Sequence, residues 1–419
     1  MKFKKTLLVL CLAVLVLLSV SCANAADNTS AIGEADQDEL SINEDVLKTD
    51  SNNFAALNTT INGNGESEVY LDGNYTFEIG DDAAFKDGVV ISRDVTVYGN
   101  GFTLDGNDTA RIFSVTGGNV VLRDIVFVNG KSLGNGGAVS GKCTVVNCTF
   151  RDNEAGRGGA LSGNGIYAVN CTFENNVAGT GGAIHGSGNT AVNCTFIGNR
   201  ANGGDGGALY NVYAVNCTFT DNYGTYGGAM YYGSALNCTF TGNSAEYGGA
   251  LNYASATNST FKNNRASYGG AMSSGNAENC TFINNTASVG GALRYSNAVN
   301  CTFIGNHATT GGAMCTEGYS ATNCTFINNT AKNGGATHMI NVKDCIFINN
   351  TATGDGGAMY GGRAVNSNFT RNRADGNGGA VFNVLVANSL FESNSAENGG
   401  AMYGGKTISS HNESRYLLS

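Results

Sequence analysis

The 419-residue chain contains no proline and no tryptophan, and only 13% of its residues are charged. So little charge, beside 42% hydrophobic residues, excludes a disordered acidic polymer over most of the length. A cationic surface is missing too. Once Lys2, Lys4 and Lys5 leave with the leader described below, 20 basic and 33 acidic residues remain, a formal charge of −13. That balance argues against an electrostatic nucleic-acid binder. No useful length of sequence carries a 3.6-residue apolar period. Paired glycines recur instead, each costing about 1 kcal/mol in a helix, so a helical solenoid does not fit. There is no CxxC spacing, no shared histidine column, no Ser/His/Asp arrangement and no phosphate loop, and neither a cofactor nor a metal is expected.

What the chain has in abundance is one short repeat. Its anchor is a phenylalanine, at Phe150, Phe173, Phe196, Phe219, Phe240, Phe261, Phe282, Phe303, Phe326, Phe347, Phe369 and Phe391, with gaps of 21 to 23 residues. Three residues later an asparagine always follows: Asn153, Asn176, Asn199, Asn222, Asn243, Asn264, Asn285, Asn306, Asn329, Asn350, Asn372 and Asn394. Two residues before the anchor stand Cys148, Cys171, Cys194, Cys217, Cys238, Cys280, Cys301, Cys324 and Cys345, with Ser259, Ser367 and Ser389 in the other three units. Each unit then passes through Gly-Gly-Ala, as in Gly227-Gly228-Ala229. Val146, Cys148 and Phe150 alternate with Asn147 and Thr149, and Val215, Cys217 and Phe219 do the same, which predicts a strand with the first set on one face. A unit this short cannot bury its own apolar face and must stack on its neighbours. Strand, polar turn and second strand closing after about 22 residues predict an all-β, single-stranded parallel β-helix. Each Gly-Gly marks a bend needing positive φ or close approach, and the asparagine after each Phe is placed to form a ladder between coils.

Taken in order, residues 1–25 read as a secretory signal cleaved near Ala25, with Leu7 to Val20 as an apolar run short for a membrane span. Residues 26–50 hold eight acids against Lys48 alone and read as a disordered acidic linker. Residues 51–130 form the N-terminal cap and irregular first coils. A short helix is expected over 51–62, capped by Ser51, with Phe54, Leu57 and Ile61 on its buried face. Strands follow at Val69 to Leu71, Tyr75 to Glu78, Val89 to Ile91, Val95 to Tyr98, Phe102 to Leu104, Ile112 to Val115 and Val120 to Val128. Phe127 is the first core Phe in register. Regular coils occupy 131–405. The tail 406–419 is polar, and the mature chain offers no membrane span.

Several features invite chemistry. The cysteine column asks for a small residue. Buried free thiols, inter-coil disulfides and metal ligation are the choices there, and free thiols are preferred because stacked side chains point in parallel. Eight Asn-Cys-Thr triplets and Asn258-Ser259-Thr260 match the glycosylation acceptor pattern, yet coils ~4.8 Å apart cannot all carry glycans. Tyr226, Tyr247 and Tyr268 stand immediately before Gly-Gly-Ala at intervals of 21 and should stack as an exposed strip, with Tyr210, Tyr231, Tyr232, Tyr253 and Tyr295 nearby. Such faces suit sugar rings or protein partners, or they simply brace the turns. The acids are scattered among turn positions, which gives weak support to a glycosidase or lyase.

The motif Asn-Cys-Thr-Phe, then Asn-x-Ala, then Gly-Gly-Ala plus an apolar residue, resembles repeats of the adhesin-like surface proteins of methanogenic archaea. It is also similar to the repeats of chlamydial polymorphic membrane proteins. Gly101-Phe102-Thr103-Leu104-Asp105-Gly106 and Gly118-Asn119-Val120 look like opening coils of the first family. The resemblance covers roughly residues 50–405. It implies a right-handed, pectate-lyase-like β-helix, secreted or held at the cell surface, that attaches non-catalytically to glycans or to surface proteins of other cells. A polysaccharide lyase or glycoside hydrolase on the same scaffold, or a structural cell-envelope component, are the alternatives.

Overall fold

The computed structural model describes residues 52–408 apart from Asp81. The signal, the acidic linker and the end of the polar tail fall outside those residues. One winding shows how the others are made. The strand Met230–Leu236 ends at Asn237, whose φ of 55° turns the chain, and Thr239–Thr241 then runs along a second face. Gly242, at φ 68°, makes the next corner and aims Asn243 into the interior. A single bridge at Ser244 forms the third side, and the chain returns through Gly248-Gly249-Ala250. Left-handed residues at both corners are tolerated because most are Asn, Asp or Gly, whose side chains avoid or offset the steric penalty.

Every strand pairing is parallel and matches equivalent residues of neighbouring windings, as in Phe219↔Phe240 and Phe240↔Phe261. Fifteen strands line the phenylalanine face, which at ~4.8 Å per strand is roughly 67 Å long. The fold is a right-handed parallel β-helix with one short helix at its N-terminal end. From Phe127 to Phe391 the rings stack at centroid distances of 4.6 to 5.0 Å and interplanar angles of 1° to 9°. Parallel rings touch at about 3.5–4.0 Å. A separation near the strand spacing therefore means slanted, offset stacks, the geometry that aromatic quadrupoles favour.

The buried asparagines form a continuous ladder. Asn243 Nδ2 donates to Asn264 Oδ1 at 3.0 Å and to the Phe219 carbonyl at 3.0 Å, while its Oδ1 accepts from Asn222 N and Nδ2. The cysteine column works the same way. Cys171 N donates to Cys194 Sγ at 3.5 Å, and Cys194 Sγ is 3.3 Å from the Val192 carbonyl. Ser259 takes both roles, accepting from Cys238 N at 3.0 Å and donating to the Thr257 carbonyl at 2.9 Å. The position thus selects a small residue that can accept a corner N–H and donate to a carbonyl, which explains why serine replaces cysteine there.

Three sequence expectations need correction. The predicted strand through Val146, Cys148 and Phe150 is two strands, Thr144–Val146 and Thr149–Arg151, split at Asn147 with φ 54°. That residue shifts the alternation, so Val145 is buried while Val146 is half-exposed and Asn147 sits at a corner. Asp124, at φ 53°, divides Val120–Arg123 from Val126–Val128 in the same way. The helix Phe54–Asn62 buries Phe54, Leu57 and Ile61 but is capped by Asn53, not Ser51, which lies outside the described residues. Asn53 Oδ1 accepts from Ala56 N, and the buried Asp82 carboxylate accepts from Phe54 N and Ala55 N, both at 2.8 Å. A carboxylate on free amides at the positive end of a helix is favoured electrostatically.

Candidate functional site

The chain reverses at each Gly-Gly, and the first glycine has positive φ, 66° at Gly227. The second leaves no space: a Cβ on Gly228 would collide with the Gly249 carbonyl. This tight reversal brings the residue before the glycines next to the residue after the apolar position. Tyr226 and Tyr231 accordingly meet edge to face at 6.2 Å.

Bridges hold Tyr226, Tyr247 and Tyr268 in file, and their rings stack at 5.0 Å with angles of 12° and 16°. Beside this strip lies a second group. Tyr231 contacts Tyr232 at 4.4 Å, Tyr253 at 5.9 Å and Tyr210 at 5.6 Å, and Tyr232 meets Tyr253 at 5.6 Å. Tyr226, Tyr231, Tyr232, Tyr247, Tyr253 and Tyr268 therefore make one surface. Tyr226, Tyr232 and Tyr253 are 39%, 42% and 52% exposed, whereas Tyr231, Tyr247 and Tyr268 are half-buried. Burial raises the Tyr231 phenol, and the neighbouring Tyr232 and Asp205 add to the effect. Burial also raises Tyr247, reinforced by Glu246.

The same surface takes in Tyr210 and Tyr295, expected nearby, and recruits His185, Arg294 and Tyr319, which sequence reasoning did not place there. His185 stacks on Tyr210 at 4.6 Å. The Arg294 guanidinium lies 4.3 Å from the Tyr268 centroid and 4.2 Å from that of Tyr295, and Tyr295 contacts Tyr319 at 5.9 Å. Arg294 occupies the position of Tyr231 three windings further on, so counting in steps of 21 would have placed it here. Arginine over two rings adds cation–π attraction, about 0.5–1 kcal/mol at an exposed contact.

Other candidate groups do less. The eleven described cysteines are buried and unpaired. Burial pushes the Cys143 thiol up to about 12 and Cys315 to about 11. Cys315 Sγ is 3.8 Å from His338 Nδ1, but a thiol so weakly acidic is no nucleophile near neutrality. The acceptor asparagines lie at exposed corners, and Asn170, Asn193, Asn216, Asn237, Asn300 and Asn323 donate to their predecessors at 2.8 to 3.3 Å. Among the described residues no three His, Cys, Asp or Glu side chains converge as a metal site would require. A cleft of about 530 Å³ in the first coils gathers Lys86, Asp87, Asp108, Arg111 and Lys131. Two of its cations are already engaged. Arg111 donates to the carbonyls of Asp87, Asn135 and Gly136, and Lys131 pairs with Glu154 at 2.7 Å.

Residues 138–266 match the family described as the right handed beta helix region. Residues 323–338, 344–361 and 366–384 match the Chlamydia polymorphic membrane protein repeat. No curated protein sequence matches the chain. Similar solved structures include the catalytic domain of a GH87 alpha-1,3-glucanase in complex with nigerose, 12% identical, with 93% of this chain and 71% of that one covered and a TM-score of 0.29. PfbA, a surface adhesin of Streptococcus pneumoniae, is 14% identical, with 80% and 85% covered and a TM-score of 0.30. An alginate lyase in complex with G6 is 12% identical, with 86% and 87% covered and a TM-score of 0.30. No helix among the described residues is long and apolar enough to cross a membrane.

Proposed function

We propose that the chain is an exported, surface-displayed or shed β-helical protein that attaches non-catalytically to glycans or to other cells, in the manner of the archaeal adhesin-like proteins its motif resembles. The observation that carries this reading is the aromatic face. Tyr226, Tyr247 and Tyr268 stack beside Tyr231, Tyr232 and Tyr253, partly exposed over successive windings. Rings of this kind present apolar faces to sugar C–H groups and hydroxyls to polar partners. The test is a glycan array probed with the purified chain and with Tyr226→Ala/Tyr247→Ala/Tyr268→Ala. The reading expects array binding that the triple variant loses while its thermal unfolding stays cooperative. Binding that survives in the variant would remove the Tyr226, Tyr247 and Tyr268 strip from the function.

A second reading has one observation in its favour, the mixed-charge cleft around Lys86, Asp87 and Asp108. Lyase or hydrolase chemistry would need an acid and a base aimed at one glycosidic linkage. Release of shortened or unsaturated products from polysaccharides, abolished by Lys86→Ala or Asp108→Asn, would establish it. Intact polysaccharide after prolonged incubation would dismiss it.

A further inference from the structure

At the left-handed position that follows each returning strand, four successive windings carry Tyr232, Tyr253, Ser274 and Tyr295, with φ of 55°, 51°, 59° and 51°. Tyr253 N donates to the Ser273 carbonyl, and Ser274 N to the Arg294 carbonyl, both at 3.0 Å, so the four residues stand in file. One ring is missing from the file, at Ser274. Tyr253 and Tyr295 therefore flank a gap two strand spacings wide, roughly 9.6 Å. A ring seated midway would lie ~4.8 Å from each neighbour, within the stacking range of aromatic pairs. The gap opens into a cleft of about 620 Å³ lined by Tyr253, Ser255, Ser274, Asn276, Tyr295 and Tyr319, among others.

The floor and walls have complementary chemistry. Asn297 Nδ2 donates to Asn276 Oδ1 at 3.1 Å, which leaves the Asn276 amide hydrogens available. Ser274 stands between Tyr253 and Tyr295 in the file and lines the cleft. Arg294 fixes one wall, lying over the Tyr295 ring with Nη2 3.1 Å from its hydroxyl. Apolar walls on two sides with hydroxyl and amide groups beneath suit a pyranose, which carries C–H groups on its faces and hydroxyls around its rim.

We propose that Tyr253 and Tyr295 hold one pyranose ring of a bound glycan between them, above Ser274. This deepens the glycan-binding reading and rests on it, but it assigns recognition to a slot outside the Tyr226, Tyr247 and Tyr268 strip. The decisive variant is Ser274→Tyr, which completes the file with a residue the same backbone position already accepts in the flanking windings. The full chain is screened against an array of neutral and uronic hexopyranose oligosaccharides, and the best-bound hexasaccharide is then titrated in solution. Ser274→Tyr should abolish binding, while Tyr253→Ala and Tyr295→Ala each weaken it by roughly five- to tenfold as one stacking wall is lost. Unchanged affinity in Ser274→Tyr overturns the slot. If that variant does not fold, unchanged affinity in both alanine variants overturns it. Loss of binding only in the Tyr226→Ala/Tyr247→Ala/Tyr268→Ala variant would reject the slot and keep the broader face. An array without any bound glycan overturns both.

Discussion

The cysteine column shows how much one corner N–H can decide. Cys171 N lies between two sheets, where no strand partner reaches it, and Cys194 Sγ accepts it. We predict that Cys194→Ser keeps stability close to that of the parent, because Ser259 already performs this task elsewhere. Cys194→Val should cost about 1–3 kcal/mol, the penalty for a buried donor left without a partner. Urea unfolding of the two variants checks the difference, and equal stabilities would contradict the role of the side chain as acceptor for the corner N–H. Histidines give the complementary case. Burial lowers the pKa of His338 and of His185, where the Arg157 charge adds to the effect. With folded values below the unfolded one near 6.5, their contribution is complete above about pH 6.5 and is lost as the pH falls further. Replacing both with glutamine should flatten the pH dependence of the melting temperature between about pH 7 and 5.

Among the elements, the turns separate what the sequence makes plain from what it conceals. The phenylalanine file and the buried asparagine ladder can be read by counting, because each occupies a fixed offset in every winding. The Tyr226, Tyr247 and Tyr268 strip is visible for the same reason. The split at Asn147 is not, since Val-Asn-Cys-Thr-Phe alternates as an unbroken strand would, and only the left-handed backbone reverses its phase. Arg294 escapes notice because it enters the face across three windings and breaks the aromatic pattern while serving it. The cap is misplaced from sequence because Asp82, which binds the helix amides, lies 28 residues from Phe54. The glycine pair yields a prediction at this scale. Gly228→Ala should destabilise far more than Thr225→Ala, a nearby control in the same turn, because the added Cβ meets the Gly249 carbonyl of the next winding. Loss of about 1–3 kcal/mol by thermal unfolding is expected, as for overpacked sites, and near-parental stability would refute the close approach.

For the molecule as a whole, stacking makes function a property of columns. A residue acquires neighbours about 21 to 23 positions away, so an exposed tyrosine in one winding becomes a face when its equivalents are also tyrosine. The Ser274 position turns the same rule into a gap. Both proposals depend on windings lying in register, and that claim can be measured by distance. Spin labels placed at the exposed residues Thr218 and Asn368 lie seven strands apart on the phenylalanine face. Pulsed dipolar spectroscopy should return one narrow distribution centred near 34 Å, about seven spacings of ~4.8 Å. A broad distribution, or a centre displaced by more than a few strand spacings, would contradict the stacked rod and the faces built on it.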